Sequence, residues 1–196
     1  VGQRQMCIRD SLEIGYSWLE GPGEYCVRKK IPANAISLAS FGLGLLAGLF
    51  VGLGLFGIGG LFLGLSGFFD ALDGFVARKS GTEKQGGAML DSCLDRYVDY
   101  AFLAGVLFFY RSSETMLLIC LLAMLGSLMV SYTTAKAESI SVVLPRGSMK
   151  RSDRIAYLLL GAFSSSITMV LLDHSEETFR TMPMMLVLLL IACASN

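Results

Sequence analysis

Residues 31–69 contain no Asp, Glu, Lys or Arg, and this long uncharged run limits the folds that are open to the chain. A helix needs about 20 apolar residues to cross the hydrocarbon core of a bilayer, so the run is long enough for two crossings. It must turn near its middle, where Gly57, Gly59 and Gly60 favour a turn. Across the whole chain 54% of residues are hydrophobic and only 16% are charged. The sequence therefore predicts an all-α integral membrane protein rather than a soluble domain.

The apolar segments predict a bundle of six transmembrane helices, of which the first two share the uncharged run. After the first, the predicted helices cover residues 61–78, 86–110, 115–135, 155–172 and 182–194. A full crossing takes about 17 to 25 residues, so the last segment accounts for only part of a sixth helix. We therefore expect the chain to stop short of its natural end.

Three regions follow from these patterns. Residues 1–11 lack the apolar segment of a signal peptide, and we interpret them as a non-native segment. Residues 12–30 mix apolar and acidic residues around Trp18, which is typical of a juxtamembrane segment with an interfacial anchor. Residues 31–196 form the predicted transmembrane domain.

The composition indicates neither nucleic-acid binding nor cysteine-based chemistry. The formal net charge is zero, whereas a nucleic-acid-binding protein needs a concentrated basic excess. The five cysteines form no C-x-x-C pair, so small buried side chains are a better interpretation than a disulfide framework or a thiolate metal site.

Glycines at four-residue spacing occur in both halves of the uncharged run. Gly44, Gly48 and Gly52 form one such series, and Gly60 and Gly64 form another. Small residues at this spacing let helix backbones approach closely in a membrane. The series predict that the first two helices pack against each other backbone to backbone.

Four carboxylates stand where the second helix ends and the third begins. Asp70 and Asp73 share one helical stripe, and Asp91 and Asp95 share a stripe on the next helix. A charge in a membrane segment costs about 2.5 to 3.5 kcal/mol on insertion scales, so such a cluster needs a compensating ion or partner. Hard oxygen ligands suit Mg²⁺ or Mn²⁺. The spacing therefore predicts a metal site, and the nearby Arg78 indicates a phosphate partner.

The same segment carries a family resemblance. Residues 70–95 follow the pattern D-x2-D-G-x2-A-R-x8-G-x3-D-x3-D, which resembles the signature of the CDP-alcohol phosphatidyltransferases at every fixed position. The resemblance implies transfer of a phosphatidyl group from CDP-diacylglycerol, or from an ether-lipid analogue, to an alcohol. CMP would be released, and the reaction would belong to phospholipid biosynthesis in the membrane.

The resemblance also implies roles for individual residues. Asp70, Asp73 and Asp91 would hold two divalent ions, and Asp95 would complete the metal shell and act as the catalytic base. Asp99 lies one turn beyond the signature, and we expect it to be a hydrogen-bonded packing residue. The residues that would bind the CDP-lipid are Asn34, Gly74, Ala77, Arg78 and Gly87.

The acceptor alcohol is indicated by a second stretch. Residues 131–138, SYTTAKAE, resemble the S-Y-x-R-A-x-x-E stretch of the branch that uses inositol phosphate, but Thr134 stands where an arginine is usual. Lys136, Arg151 and Arg154 would then bind a phosphorylated acceptor, although membrane topology alone would also place basic residues there. The alternatives are a glycerol-phosphate-using phosphatidyltransferase and, in another class, a non-catalytic transporter.

Basic residues are concentrated at one end of the predicted spans. By the positive-inside rule, that end and the aspartate motif face the cytoplasm in a multi-pass cell-membrane protein. On this topology, membrane lipids would surround the helices. The family resemblance is also compatible with a homodimer of this chain. The basic end holds Arg28, Lys29, Lys30, Arg78, Lys79, Lys84, Lys136, Arg146, Lys150, Arg151 and Arg154, and the other end holds Arg111 and Arg180.

Overall fold

The computed structural model describes residues 19–81, 85–142, 151–171 and 177–195, and all regular structure in these ranges is helical. A short helical segment, residues 19–28, precedes six long helices. The predicted all-α class is confirmed. The long helices are α1 (Ala33–Gly52), α2 (Phe56–Ser80), α3 (Gln85–Phe109), α4 (Glu114–Ser139), α5 (Arg151–Leu171) and α6 (Glu177–Ser195).

Four of these helices, α1, α2, α4 and α5, are long and apolar enough to cross a membrane. In α3 the apolar sequence is interrupted by three aspartates and an arginine. The apolar part of α6 is Thr181–Ala194, although the helix begins earlier, at Glu177. The four apolar helices agree with the predicted membrane protein.

The connection between α1 and α2 lies earlier than the sequence pattern predicted. The chain turns at residues 53–55, where Gly54 has a φ of 83°, a left-handed conformation that glycine adopts without strain. Gly57, Gly59 and Gly60 lie inside α2, so the predicted turn at these residues is wrong. Gly59 faces Val51 of α1, which leaves no room there for a larger side chain.

The predicted close backbone approach of α1 and α2 is confirmed, but it falls at Gly59, where a Cβ atom would lie 2.9 Å from the Ala47 carbonyl oxygen. The glycine series on α1 contacts α3 instead. A Cβ atom on Gly48 would overlap the carbonyl oxygen of Ala101, and one on Gly105 would overlap the carbonyl of Gly48. Gly44 is similarly closed off by Val98. The spacing identified a close backbone approach but carried no information about which helix approaches.

Helices α1 and α2 are also joined by a pair of serines. The Ser40 hydroxyl donates to the Ser66 carbonyl at 2.8 Å, and the Ser66 hydroxyl donates to the Ser40 carbonyl at 2.9 Å. Both side chains are buried, so these hydrogen bonds satisfy groups that apolar surroundings would otherwise leave unpaired.

The short helical segment of residues 19–28 packs against the end of α2 that carries the aspartates. Leu19 packs with Leu72 and Val76 in a small apolar cluster. Lys79 donates to Glu24 at 2.7 Å, and this contact lowers the pKa of the Glu24 carboxyl. The larger apolar core lies among the long helices and includes Phe56, Phe102, Leu103, Val106, Met184 and Leu188.

Candidate active site

Three carboxylates from two neighbouring helices converge on one point. Asp70 of α2 and Asp91 and Asp95 of α3 each offer an oxygen, and these oxygens all lie within 4.8 Å of one another. Asp91 and Asp95 are four residues apart, so one helical turn presents both to α2. We call these three residues the carboxylate cluster. Its members are half-buried, which concentrates negative charge at a place that a ligand can still reach.

Asp73 lies next to the cluster but is not part of the three-oxygen group. It is buried, and its Oδ2 atom has no hydrogen-bond partner among the described residues. Ser37 of α1 lies beside this carboxylate. A buried carboxylate oxygen without a partner is costly, so both Asp73 and the carboxylate cluster fit a bound cation.

Arg151, the first residue of α5, inserts into the carboxylate cluster. Its Nη1 atom lies 3.1 Å from Asp70 Oδ2 and 2.6 Å from Asp95 Oδ2. Its Nε atom faces Asp99 Oδ1 at 3.7 Å, which is too long for a hydrogen bond. A residue that the sequence suggested for acceptor binding therefore neutralises part of the predicted metal site in this structure.

Asp99 and Arg154 form a buried ion pair behind Arg151. Arg154 Nη2 lies 3.4 Å from Asp99 Oδ2, and both side chains are nearly excluded from solvent. Asp99 thus lies between two arginines of α5, in agreement with the packing role expected for it. Arg154 is held in place by this pair, so any contact it makes with an acceptor requires the pair to rearrange.

Four of the five residues suggested for the CDP-lipid lie next to each other in two pairs. The Arg78 guanidinium folds back over Gly74, where a Cβ atom would lie 3.2 Å from Arg78 Nη1. Asn34 Oδ1 lies beside Gly87, 3.4 Å from the position of a Cβ atom there. Ala77 is half-buried on the same turn of α2. Small residues at these positions leave space that a larger side chain would fill.

Lys136 and Thr134 lie apart from the carboxylate cluster in the contacts that the structure describes. Lys136 is exposed in the last turn of α4, and Thr134 donates its hydroxyl to the Val130 carbonyl. The sequence interpretation did not assign Ser37 to the site, and the structure places this residue next to Asp73. The signal was present, because Ser37 follows Asn34 by three residues and so lies on the same face of α1.

The fold and the site define an all-helical membrane protein with a carboxylate cluster suited to a divalent ion and, through it, to phosphate groups. The chain belongs to the CDP-alcohol phosphatidyltransferase family, whose model matches residues 30–194. It is 36% identical over 137 residues to the archaetidylinositol phosphate synthase of Methanothermobacter thermautotrophicus, with 70% of this chain and 69% of that protein aligned.

Other relatives are covered less completely. The phosphatidylinositol phosphate synthase of Mycobacteroides abscessus is 35% identical over 110 residues, which cover 55% of this chain and 50% of that protein. Among solved structures, the fold is similar to that of the Mycobacterium tuberculosis phosphatidylinositol phosphate synthase with CDP-DAG bound. That match has a TM-score of 0.77 and 22% identity over 90% of this chain and 87% of the other.

Proposed function

We propose that this protein transfers the phosphatidyl group of CDP-diacylglycerol, or of an ether-lipid analogue, to inositol phosphate and releases CMP. The observation that carries the proposal is the convergence of Asp70, Asp91 and Asp95 inside the family's signature. The acceptor is supported by relatives that are named for inositol phosphate products. Glycerol phosphate is the second candidate, because it presents the same phosphate group to Arg151 and Lys136.

The carboxylate cluster, together with Asp73, would hold two divalent ions, Mg²⁺ or Mn²⁺. Their donor set is entirely carboxylate, which is the chemistry that these hard ions prefer. When bound, such ions neutralise the diphosphate of the donor lipid and the charge that develops on CMP. A solved structure of the M. tuberculosis enzyme is described as a complex with manganese and citrate, which supports manganese as one of the candidates.

Asp95 is the proposed base. It would accept the proton of the acceptor hydroxyl, whose oxygen then forms a bond to the phosphorus that carries the diacylglycerol. The bond from that phosphorus to the bridging oxygen breaks, and CMP leaves with this oxygen. Arg78, which lies over Gly74 at the end of α2, would donate to the phosphates of the CDP-lipid.

The position of Arg151 supports a phosphorylated acceptor. Because its guanidinium lies within hydrogen-bond distance of Asp95, a phosphate bound by Arg151 would hold its own alcohol close to the base. Arg154 would contribute through Asp99, and Lys136 would approach from the end of α4. A phosphorylated acceptor would therefore account for the close contact between the proposed base, Asp95, and the proposed phosphate-binding group, Arg151.

The proposed arrangement in the membrane has six crossings, with α3 and α6 added to the four strongly apolar helices. The site would face the cytoplasm, because the predicted topology puts eleven basic residues at the aspartate end and only Arg111 and Arg180 at the other. Residues 12–30 would form the juxtamembrane segment and residues 31–196 the catalytic domain. Residues 1–11, interpreted as non-native, lie outside the described part of the chain.

The test is CMP release from CDP-diacylglycerol by the purified protein with a panel of acceptors. We expect release with inositol phosphate to exceed release with glycerol phosphate, free inositol or serine by at least about a hundredfold in kcat/KM. Preference for glycerol phosphate would reassign the acceptor and leave the transfer chemistry intact. If a folded protein supplied with Mn²⁺ released no CMP with any acceptor, the proposed enzymatic activity would be contradicted and the transporter alternative favoured.

A further inference from the structure

Arg151 contacts two of the three carboxylates that could hold a metal ion. Its Nη1 atom bridges Asp70 Oδ2 and Asp95 Oδ2, which come from two different helices. Asp70, Asp91 and Asp95 are also the residues whose oxygens come close enough to share one ion. The guanidinium therefore provides, from within the chain, the positive charge that the carboxylate cluster requires.

A divalent ion and the guanidinium in this position disfavour each other. A Mg²⁺ ion sits about 2.1 Å from its oxygen ligands, so an ion bound to Asp95 Oδ2 would lie no more than about 5 Å from Arg151 Nη1. Two positive charges at this separation repel strongly in a partly buried site. Binding of the ion should therefore displace the arginine from the carboxylate cluster.

The displaced arginine has a nearby partner. Its Nε atom and Asp99 Oδ1 face each other at 3.7 Å, and both atoms are buried without a hydrogen-bond partner among the described residues. A small shift of the side chain toward Asp99 would close this gap to a hydrogen bond. Arg154, held on the other oxygen of Asp99, keeps that carboxylate in position. The Nη atoms of Arg151 would then be free to bind an anion.

We infer that Arg151 is a built-in counter-ion that competes with the divalent metal and that metal binding transfers it to the acceptor phosphate. The inference rests on the proposed function for the identity of that phosphate. It predicts an order of events, in which the metal binds before the acceptor. It also predicts positive coupling between them, because each ligand favours the same displaced arginine.

The test measures Mn²⁺ affinity of the full chain in detergent, by the electron paramagnetic resonance signal of free Mn²⁺, without lipid substrate. Arg151→Gln should bind Mn²⁺ about tenfold more tightly than wild type, because the competing charge is gone. Arg151→Lys should lie between the two. Inositol phosphate should tighten Mn²⁺ binding to wild type and should have no effect on Arg151→Gln. Lys79→Gln, which removes a basic residue paired with Glu24, should match wild type.

Unchanged or weaker Mn²⁺ binding by Arg151→Gln would overturn the competition. If thermal unfolding shows that this variant is not folded, Arg151→Lys decides, and its affinity must exceed that of wild type. Inositol phosphate that leaves the wild-type affinity unchanged would overturn the transfer of Arg151 to the acceptor. CMP release, measured separately, tests the proposed function. If no CMP is released but Arg151→Gln still binds Mn²⁺ more tightly than wild type, the proposed function is contradicted and the competition is not.

Discussion

Arg151 Nη1 lies 2.6 Å from Asp95 Oδ2, so the side chain expected to bind the acceptor contacts the one expected to accept its proton. The two residues belong to α5 and α3, and Asp70 of α2 contacts the same guanidinium. Three helices therefore meet at one group of charges. Changes to any member of this group should affect both metal binding and acceptor binding.

The first prediction separates Asp73 from the carboxylate cluster. Asp91→Asn should weaken Mn²⁺ binding by at least about tenfold, because it removes a member of the three-oxygen group. Asp73→Asn should reduce the number of bound ions from two to one, because Asp73 lies outside that group. Isothermal titration calorimetry gives both the affinity and the stoichiometry.

Asp153→Asn provides the matched control, since Asp153 is an exposed aspartate at the start of α5 that contacts Ser152. Its Mn²⁺ binding should equal that of wild type. Two ions bound with unchanged affinity in Asp73→Asn would remove this residue from the metal site.

The second prediction concerns Lys136. If it binds the acceptor phosphate, Lys136→Gln removes a charge-assisted hydrogen bond of about 1.5 to 3 kcal/mol. The acceptor KM should then rise roughly ten- to a hundredfold, while the KM for CDP-diacylglycerol stays nearly constant. Steady-state kinetics of CMP release measure both constants. A Lys136→Gln enzyme with both constants unchanged would indicate that this lysine only sets topology.

Thr134 allows the complementary gain-of-function experiment. Thr134→Arg restores the residue that is usual in the inositol-phosphate-using branch, and we expect a lower KM for inositol phosphate with no gain for free inositol. Thr134 is exposed, so the longer side chain can be accommodated. An equal effect on both acceptors would show that the new arginine does not contact phosphate.

The fourth prediction tests the contact between α1 and α3. Gly48→Ala should destabilise the protein by about 1 to 3 kcal/mol, because its Cβ atom would overlap the Ala101 carbonyl. Gly42→Ala, in the same helix but facing open space, should be neutral or slightly stabilising. Thermal unfolding in detergent compares the two variants. Equal melting temperatures would contradict the described helix contact.

The fifth prediction is topological. In a background without native cysteines, Ser80→Cys at the end of α2 should react with a membrane-impermeant reagent only from the cytoplasmic side. Ser112→Cys, in the exposed turn before α4, should react only from the other side. This pattern follows from the distribution of basic residues. The reverse pattern would show that the aspartate end faces away from the cytoplasm.

Much of the site follows from helical periodicity, and the rest depends on contacts between distant segments. Asp91 and Asp95 had to share a face, and their spacing relative to Asp70 is fixed by the signature. The contact between Arg151 and Asp70 joins residues 81 positions apart, which no local pattern encodes. Similarly, Gly48 showed that some helix comes close, but the choice of α3 depends on the packing of the whole bundle.

The central claim is that the carboxylate cluster carries metal-dependent phosphatidyl transfer. It is tested most directly by CMP release from CDP-diacylglycerol and inositol phosphate, in Mn²⁺ and after chelation, by wild type and single Asn variants. Wild type and Asp153→Asn should be active only with the metal, and Asp70→Asn, Asp91→Asn and Asp95→Asn should each lose at least about a hundredfold in kcat. A folded variant of any of these three that retains the wild-type rate and metal dependence would contradict the assignment.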